Sequence, residues 1–121
     1  MDKAVPVIRI LDYQEAVEFY CGILGFKIEF EWRHEPGFPV YMGISKGSLY
    51  AFLSEHKGNG EPGGGRGMVF IIKDIDSYYN YLKDKGLKFE QELTLQPWGD
   101  RDFSFRDPFD NSIGVVERTI D

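Results

Sequence analysis

Cysteine and histidine are scarce in this chain of 121 residues: Cys21 stands alone, and His34 and His56 are the only imidazoles. A single thiol closes no internal disulfide and builds no cysteine-rich metal site, which is consistent with a reducing compartment. Neither histidine belongs to an i, i+4 pair or a short His-x-His motif, so no metal site is legible, and both read as structural surface residues. No apolar run approaches the ~18 residues of a membrane span. The opening MDKAVPVIRILDY sets Lys3 and Arg9 around a short apolar stretch too polar for a signal-peptide core, so the expected location is cytoplasmic. Basic residues are also in deficit, with 14 Lys and Arg against 20 Asp and Glu and a net charge of −6, which argues against a nucleic-acid partner.

Aromatic residues, by contrast, are plentiful at 16% of the chain. An acidic, aromatic-rich protein suits a cationic, partly planar small molecule. The same composition also suits a chain whose charge only keeps it soluble and whose rings only pack.

Periodicity organises the chain. Ala4 to Ile10 is a β-branched run, and Tyr13 to Leu24 places Ala16, Val17, Tyr20, Ile23 and Leu24 on one helical face, with Asp12 as cap and Gly25 as stop. From Phe26 to Trp32 the period changes to two, with Phe26, Ile28, Phe30 and Trp32 on an inner face and Lys27, Glu29, Glu31 and Arg33 outside. The turn Glu35-Pro36-Gly37 leads to a strand through Phe38, Val40, Met42 and Ile44, and Lys46-Gly47 turns into another from Ser48 to Ser54.

GNGEPGGGRG, from Gly58 to Gly67, carries six glycines without periodicity and reads as a flexible connection. Its Gly58, Gly60 and Gly63 copy the spacing of a dinucleotide-binding loop, but no helix follows to meet a pyrophosphate. Beyond it the plan repeats: a strand Met68 to Ile72, a cap at Asp74 or Asp76, a helix using Ile75, Tyr79 and Leu82, Gly86, then strands at Lys88 to Leu93, Arg101 to Asp107 and Ser112 to Glu117. Asp12 and Asp74 are 62 positions apart and Gly25 and Gly86 are 61 apart. The expected fold is α+β, one domain of two β-α-β-β-β modules, about residues 1–57 and 67–121; the sheet face that each helix leaves free must be covered or form a concave site, and a pocket between the modules is expected.

The candidate chemistry is binding. Cys21 has no basic neighbour in the sequence and no triad is visible. Phe30, Trp32, Phe38 and Trp98 fall at strand ends or beside Pro and Gly, where a ring can stack on a planar ligand. Glu31, Glu35, Asp100 and Asp102 lie close by and would attract a cation. The same rings would equally seal a dimer interface.

AVPVIRILDYQEAVEFY, LGF at Leu24 to Phe26, LSEHKGNGEPG, QPWG at Gln96 to Gly99 and the DPFDN turn at Asp107 to Asn111 resemble the bleomycin-resistance proteins of the glyoxalase, or vicinal-oxygen-chelate, superfamily. Asp110 stands where that turn commonly has glycine. The resemblance implies a homodimer, with exchanged strands or closely paired sheets, that sequesters a flat-ringed cationic antibiotic of the bleomycin type in two interfacial clefts. Phe38 and Trp98 would supply the stacking pair, and Phe30 and Trp32 would support it. The superfamily's enzymes hold a divalent metal at positions that carry over to Val5, Met68 and Gly114, none of which can ligate, and to a strand residue among Leu49 to Leu53, where no His or carboxylate stands. The resemblance therefore implies no metal, no cofactor and no catalysis. The alternative is a metal-dependent lyase, thiol transferase or dioxygenase with a rearranged site drawn from Glu55, His56 or His34.

Overall fold

The structure is a computed structural model that describes residues 2–63 and 66–118. The elements run β1 (Val7–Arg9), α1 (Tyr13–Val17) continued by a π-helical turn (Glu18–Ile23), β2 (Lys27–Trp32), β3 (Tyr41–Lys46), β4 (Leu49–Ser54) and a 3-10 turn (Lys57–Asn59). They continue as β5 (Arg66–Ile72), α2 (Ile75–Asp84), β6 (Gln91–Leu95), β7 (Arg101–Arg106) and β8 (Ser112–Glu117). The fold is α+β, with two four-stranded sheets ordered β1-β4-β3-β2 and β5-β8-β7-β6. In each sheet the outermost pair, β1 with β4 or β5 with β8, is parallel and the other pairs are antiparallel.

Capping chemistry starts both helices. The Asp12 carboxylate accepts from the Glu15 amide at 2.8 Å, and Asp74 accepts from the Ser77 amide at 3.2 Å, each satisfying an orphan first-turn donor. Gly25 and Gly86 follow in left-handed conformations, with φ of 90° and 84°. The regular helix expected from Tyr13 to Leu24 widens after Val17 into the π turn. The cap-to-glycine segment is one residue longer here than around α2, and a π turn is how a helix absorbs an added residue. Phe19 and Tyr20, adjacent in sequence, are both buried as a result, at 6% and 0% exposure.

One hydrophobic cluster joins the halves, with Ile10, Tyr20, Leu24, Met42 and Leu53 from the first and Ile75, Leu82, Phe103, Phe105 and Ile113 from the second. Ring contacts cross between them, Phe19 with Phe105 at 6.1 Å and Phe26 with Phe70 at 5.5 Å. Polar ties cross too: the Tyr20 hydroxyl donates to Asp107 Oδ2 at 2.7 Å, Tyr78 to the Leu24 carbonyl at 2.9 Å, and Asn111 Nδ2 to the Arg9 carbonyl at 2.9 Å. Asp107 also receives the amides of Phe109 and Asn111, each at 2.9 Å. Asp110 takes φ 67° there, the left-handed conformation for which the usual glycine is suited.

Several boundaries differ from the sequence reading. β3 begins at Tyr41, so Phe38 stands in the preceding turn, and β6 begins at Gln91 rather than Lys88. The described part of the glycine-rich stretch is pinned rather than free: the buried Arg9 donates Nε to the Gly60 carbonyl at 2.8 Å, and the Gly63 amide donates to Asn111 Oδ1 at 2.9 Å. Gly64 and Gly65 of that stretch lie outside the described residues. Among the described residues, no helix is long and apolar enough to cross a membrane.

Candidate aromatic binding face

The first sheet buries one face under the helices and leaves the other open. Met42, Ile44, Ala51 and Leu53 point to the core, each at 1% exposure or less. Strand geometry puts their neighbours Tyr41, Gly43, Ser45, Tyr50 and Phe52 on the opposite face. β2 joins that face through a bulge between Ile28 and Phe30, which shifts its register. Before the bulge Ile28 packs toward the core; after it Phe30 pairs with Gly43 and Trp32 with Tyr41 on the open side. The alternation read for β2 is therefore reversed over its second half, and Phe30 and Trp32 are outward-facing rings, 38% and 53% exposed.

These rings form a continuous surface. Phe52 lies 5.7 Å from Phe30, 5.4 Å from Tyr41 and 5.7 Å from Tyr50 between ring centres. At one end the His34 ring lies 6.3 Å from Trp32 and 5.5 Å from Phe38, and His56 lies 6.5 Å from Tyr41. Tilted and edge-on rings at these spacings make favourable contacts and leave π faces for a flat ligand. At the other end Glu29 accepts from the Ser45 hydroxyl at 2.5 Å and lies 3.4 Å from Lys27; the hydroxyl first, then the ammonium, holds its carboxyl below its ordinary range.

The open face of the second sheet has different chemistry. Ser104 pairs with Gly114, and these small residues floor a cavity of about 290 Å³ that is also lined by Gln91, Gln96, Asp102, Val116 and Trp98. Asp102 Oδ1 accepts from Gln91 Nε2 at 2.6 Å and Gln96 Nε2 at 2.9 Å, which fixes a carboxylate on the floor. Trp98 sits in the β6–β7 turn, where the Gln96 amide donates to the Asp100 carbonyl at 2.7 Å, and its ring is 69% exposed.

The expected site residues thus divide. Phe30, Trp32 and Phe38 come together around the first sheet, whereas Trp98 and Asp102 stand on the second. Glu31 pairs with core-facing Met42 and takes a hydrogen bond from the Tyr13 hydroxyl at 3.0 Å, placing it on the helix side, away from the rings. Glu35 is an exposed turn residue whose carbonyl accepts from the Phe38 amide at 3.0 Å. Asp100 is occupied by Arg118 at 2.9 Å, which holds its carboxyl below the ordinary range. Tyr41, Tyr50, Phe52 and Glu29 share this face with Phe30 and are not among the residues expected from the sequence. Their signal is the strict alternation of Tyr50 and Phe52 with core residues Ala51 and Leu53.

The metal positions carried over from the resemblance resolve as follows. Met68 is a core residue, 9% exposed, and the outward neighbour on β5 is Val69, 45% exposed, because a side chain one step along a strand changes face. On β4 the open-face residues are Tyr50 and Phe52, and on β8 Gly114 pairs with Val69. Among the described residues no group of three or more His, Cys, Asp or Glu is arranged to hold a metal ion. Glu55, a member of the alternative set, is engaged structurally: it accepts from the amides of Tyr13 at 3.1 Å and Val40 at 2.8 Å, with Arg33 at 3.6 Å.

Comparison with known proteins accords with this arrangement. The model of a glyoxalase superfamily protein family matches residues 1–121. A bleomycin resistance protein of Geobacillus stearothermophilus is 26% identical, covering 98% of both chains. A solved member of the glyoxalase/bleomycin resistance protein/dioxygenase superfamily from Sphaerobacter thermophilus superposes with a TM-score of 0.77 at 27% identity, covering 97% of this chain and 98% of the other. A bleomycin-binding protein solved with bleomycin superposes at 0.74 with 21% identity, covering 98% and 100%. With two β-α-β-β-β halves, a duplicated helix cap and a family match over its whole length, the chain belongs to the glyoxalase superfamily and has bleomycin resistance proteins among its relatives.

Proposed function

We propose that this protein binds a cationic, flat-ringed small molecule of the bleomycin type and sequesters it without chemical change. The observation that carries the reading is the open aromatic face of Phe30, Tyr41, Tyr50 and Phe52, extended by Trp32, His34 and Phe38; among the described residues no group of three or more His, Cys, Asp or Glu is arranged to hold a metal ion. Stacking contributes on the order of 1 kcal/mol per ring beyond area burial, so a flat ligand needs several of these contacts at once.

The same reading treats the chain as one domain of two modules, about residues 1–57 and 67–121, working as a homodimer. β1 and β5 are edge strands with exposed Val7 and Val69, an arrangement suited to pairing with a second copy. Such pairing would bring one copy's aromatic face opposite the other's Trp98 and Asp102. The aromatic wall would take the planar part of the ligand, and Asp102, with Glu29 across from it, would take the cationic part.

Isothermal titration with metal-free and copper-loaded bleomycin tests this, alongside sedimentation to count the chains. Saturable binding near one drug per chain in a dimer supports sequestration. No heat with either form, or turnover of a substrate by a metal-loaded sample, removes it.

A further inference from the structure

We propose a second ligand site, separate from the aromatic face, for a small organic anion with an apolar body. It is a cavity of about 500 Å³ between the β3–β4 turn and the start of α2, lined by Lys46, Leu49, Ile71, Lys73, Tyr78 and Arg118 among others. That volume lies within the range of small-molecule sites.

The cavity exists because the two halves differ at equivalent places. Ile71 to Asp74 stand 62 positions after Arg9 to Asp12, the shift that relates the helix caps. Beside Arg9 the space is filled by the five-residue Asp107–Asn111 connection, with Phe109 6% exposed and Asn111 bonded to the Arg9 carbonyl. The matching connection of the first half is only Gly47-Ser48, between Lys46 and Leu49. It is too short to reach in, and among the described residues nothing fills the space beside Ile71. A second opening of about 410 Å³, lined by Gly25, Lys46, Ser77 and Tyr81, continues the groove past Tyr78.

Charge selects the ligand. The chain carries −6 overall, yet this cavity is bordered by Lys46, Lys73 and Arg118. Its one carboxylate, Asp74, is engaged by the Ser77 amide and hydroxyl. Arg118 is held by Asp100 at 2.9 Å, and among the described residues neither lysine has a carboxylate within ion-pair distance. Lys46 Nζ lies 5.2 Å from the Tyr78 ring centre, so an ammonium stands directly above an apolar wall. An aryl or alkyl carboxylate would lay its body on Tyr78, Leu49 and Ile71 and its charge between the lysines. A cationic drug is repelled by the same groups, so the two sites select opposite ligands.

The test is a titration of the 15N-labelled protein with 2-naphthoate, followed through backbone amide shifts, with uncharged 2-naphthamide as control. The expected result is saturable movement of the Gly47, Ser48, Lys73 and Asp74 amides by the acid and not by the amide. Lys73→Gln and Lys46→Gln should each weaken binding about threefold. Because Lys73 is exposed, its variant tests the site even if Lys46→Gln perturbs packing on Tyr78. Movement confined to Gly43 and Phe52, equal response to both compounds, or no response at millimolar concentration overturns the proposal. Bleomycin titration of the Lys73→Gln protein separates the two readings, since loss of drug binding belongs to the aromatic face and loss of naphthoate binding to this cavity.

Discussion

Phe30 lies flat across Gly43, its partner in the β2–β3 register, so closely that a Cβ at Gly43 would stand 2.8 Å from the ring's Cδ2 and 2.8 Å from the Tyr50 hydroxyl. The glycine makes room for the aromatic surface by having no side chain. Gly43→Val should therefore push both rings off the sheet. We expect a loss of ligand affinity of tenfold or more, from the order-of-magnitude worth of two stacking contacts, with far-ultraviolet dichroism retained. Unchanged affinity in calorimetry would detach these rings from the site.

Trp98 offers the complementary case. Its ring is 69% exposed and packs in no core, so Trp98→Ala should leave the unfolding midpoint within about 0.5 kcal/mol of wild type. Affinity for a flat ligand should fall about fivefold, the loss of one stacking contact. A variant that binds normally would place the ligand on the first sheet alone. Raising salt should weaken binding mainly by slowing association, since the role proposed for Asp102 and Glu29 is electrostatic.

Tyr20 and Tyr78 make the protein sensitive to alkali. Burial first, and for Tyr20 the neighbouring Asp107 as well, raises both phenols above their ordinary value of 10.0. A raised phenol pKa in the folded state means that its stabilising contribution is complete below about pH 10, where the unfolded chain is also neutral, and is lost as pH rises beyond it. Urea midpoints should fall between pH 10 and 11.5, and Tyr78→Phe should flatten that fall. Tyrosinate absorbance from these two residues should appear only on unfolding.

Arg9 is 6% exposed and donates to the carbonyls of Gly60, Ser54 and Ile10. Arg9→Leu strips these acceptors of a charged donor and should cost about 2 kcal/mol. It also releases the segment around Gly60, so limited proteolysis at residues 58–63 should accelerate more than global unfolding does. Equal acceleration of both would show that Arg9 does not pin the loop.

The fold was readable because its signals are local. Asp12, Gly25, Asp74 and Gly86 mark helix ends by their own chemistry, and the 62-residue shift between the caps exposes the repeat. The site was only partly readable. Phe30 and Trp32 stand out in the sequence by lying near a strand end, but the bulge that turns them outward depends on pairing with β3 and leaves no mark in β2 itself. The same bulge sets Glu31 one step of the pleat away from the rings, on the helix side. The partnership of Asp102 with Gln91 and Gln96 joins residues from separate segments, and sequence periodicity does not report such encounters.

The π turn of the first helix makes chain length, not only residue identity, a determinant of how the halves hold together. With one residue more than α2 between its cap and its glycine, that helix directs Phe19 to Phe105 and Tyr20 to Asp107 at once. Removing a single residue there, Gly22 for example, would close the π turn to regular α spacing, in which successive side chains stand about 100° apart, and so change the directions in which Phe19 and Tyr20 leave the helix. The aromatic contact or the buried hydrogen bond would then be lost, although neither residue had been touched. Tolerance measured by substitution alone would pass over this position, since a Cβ at Gly22 meets no atom within 4 Å.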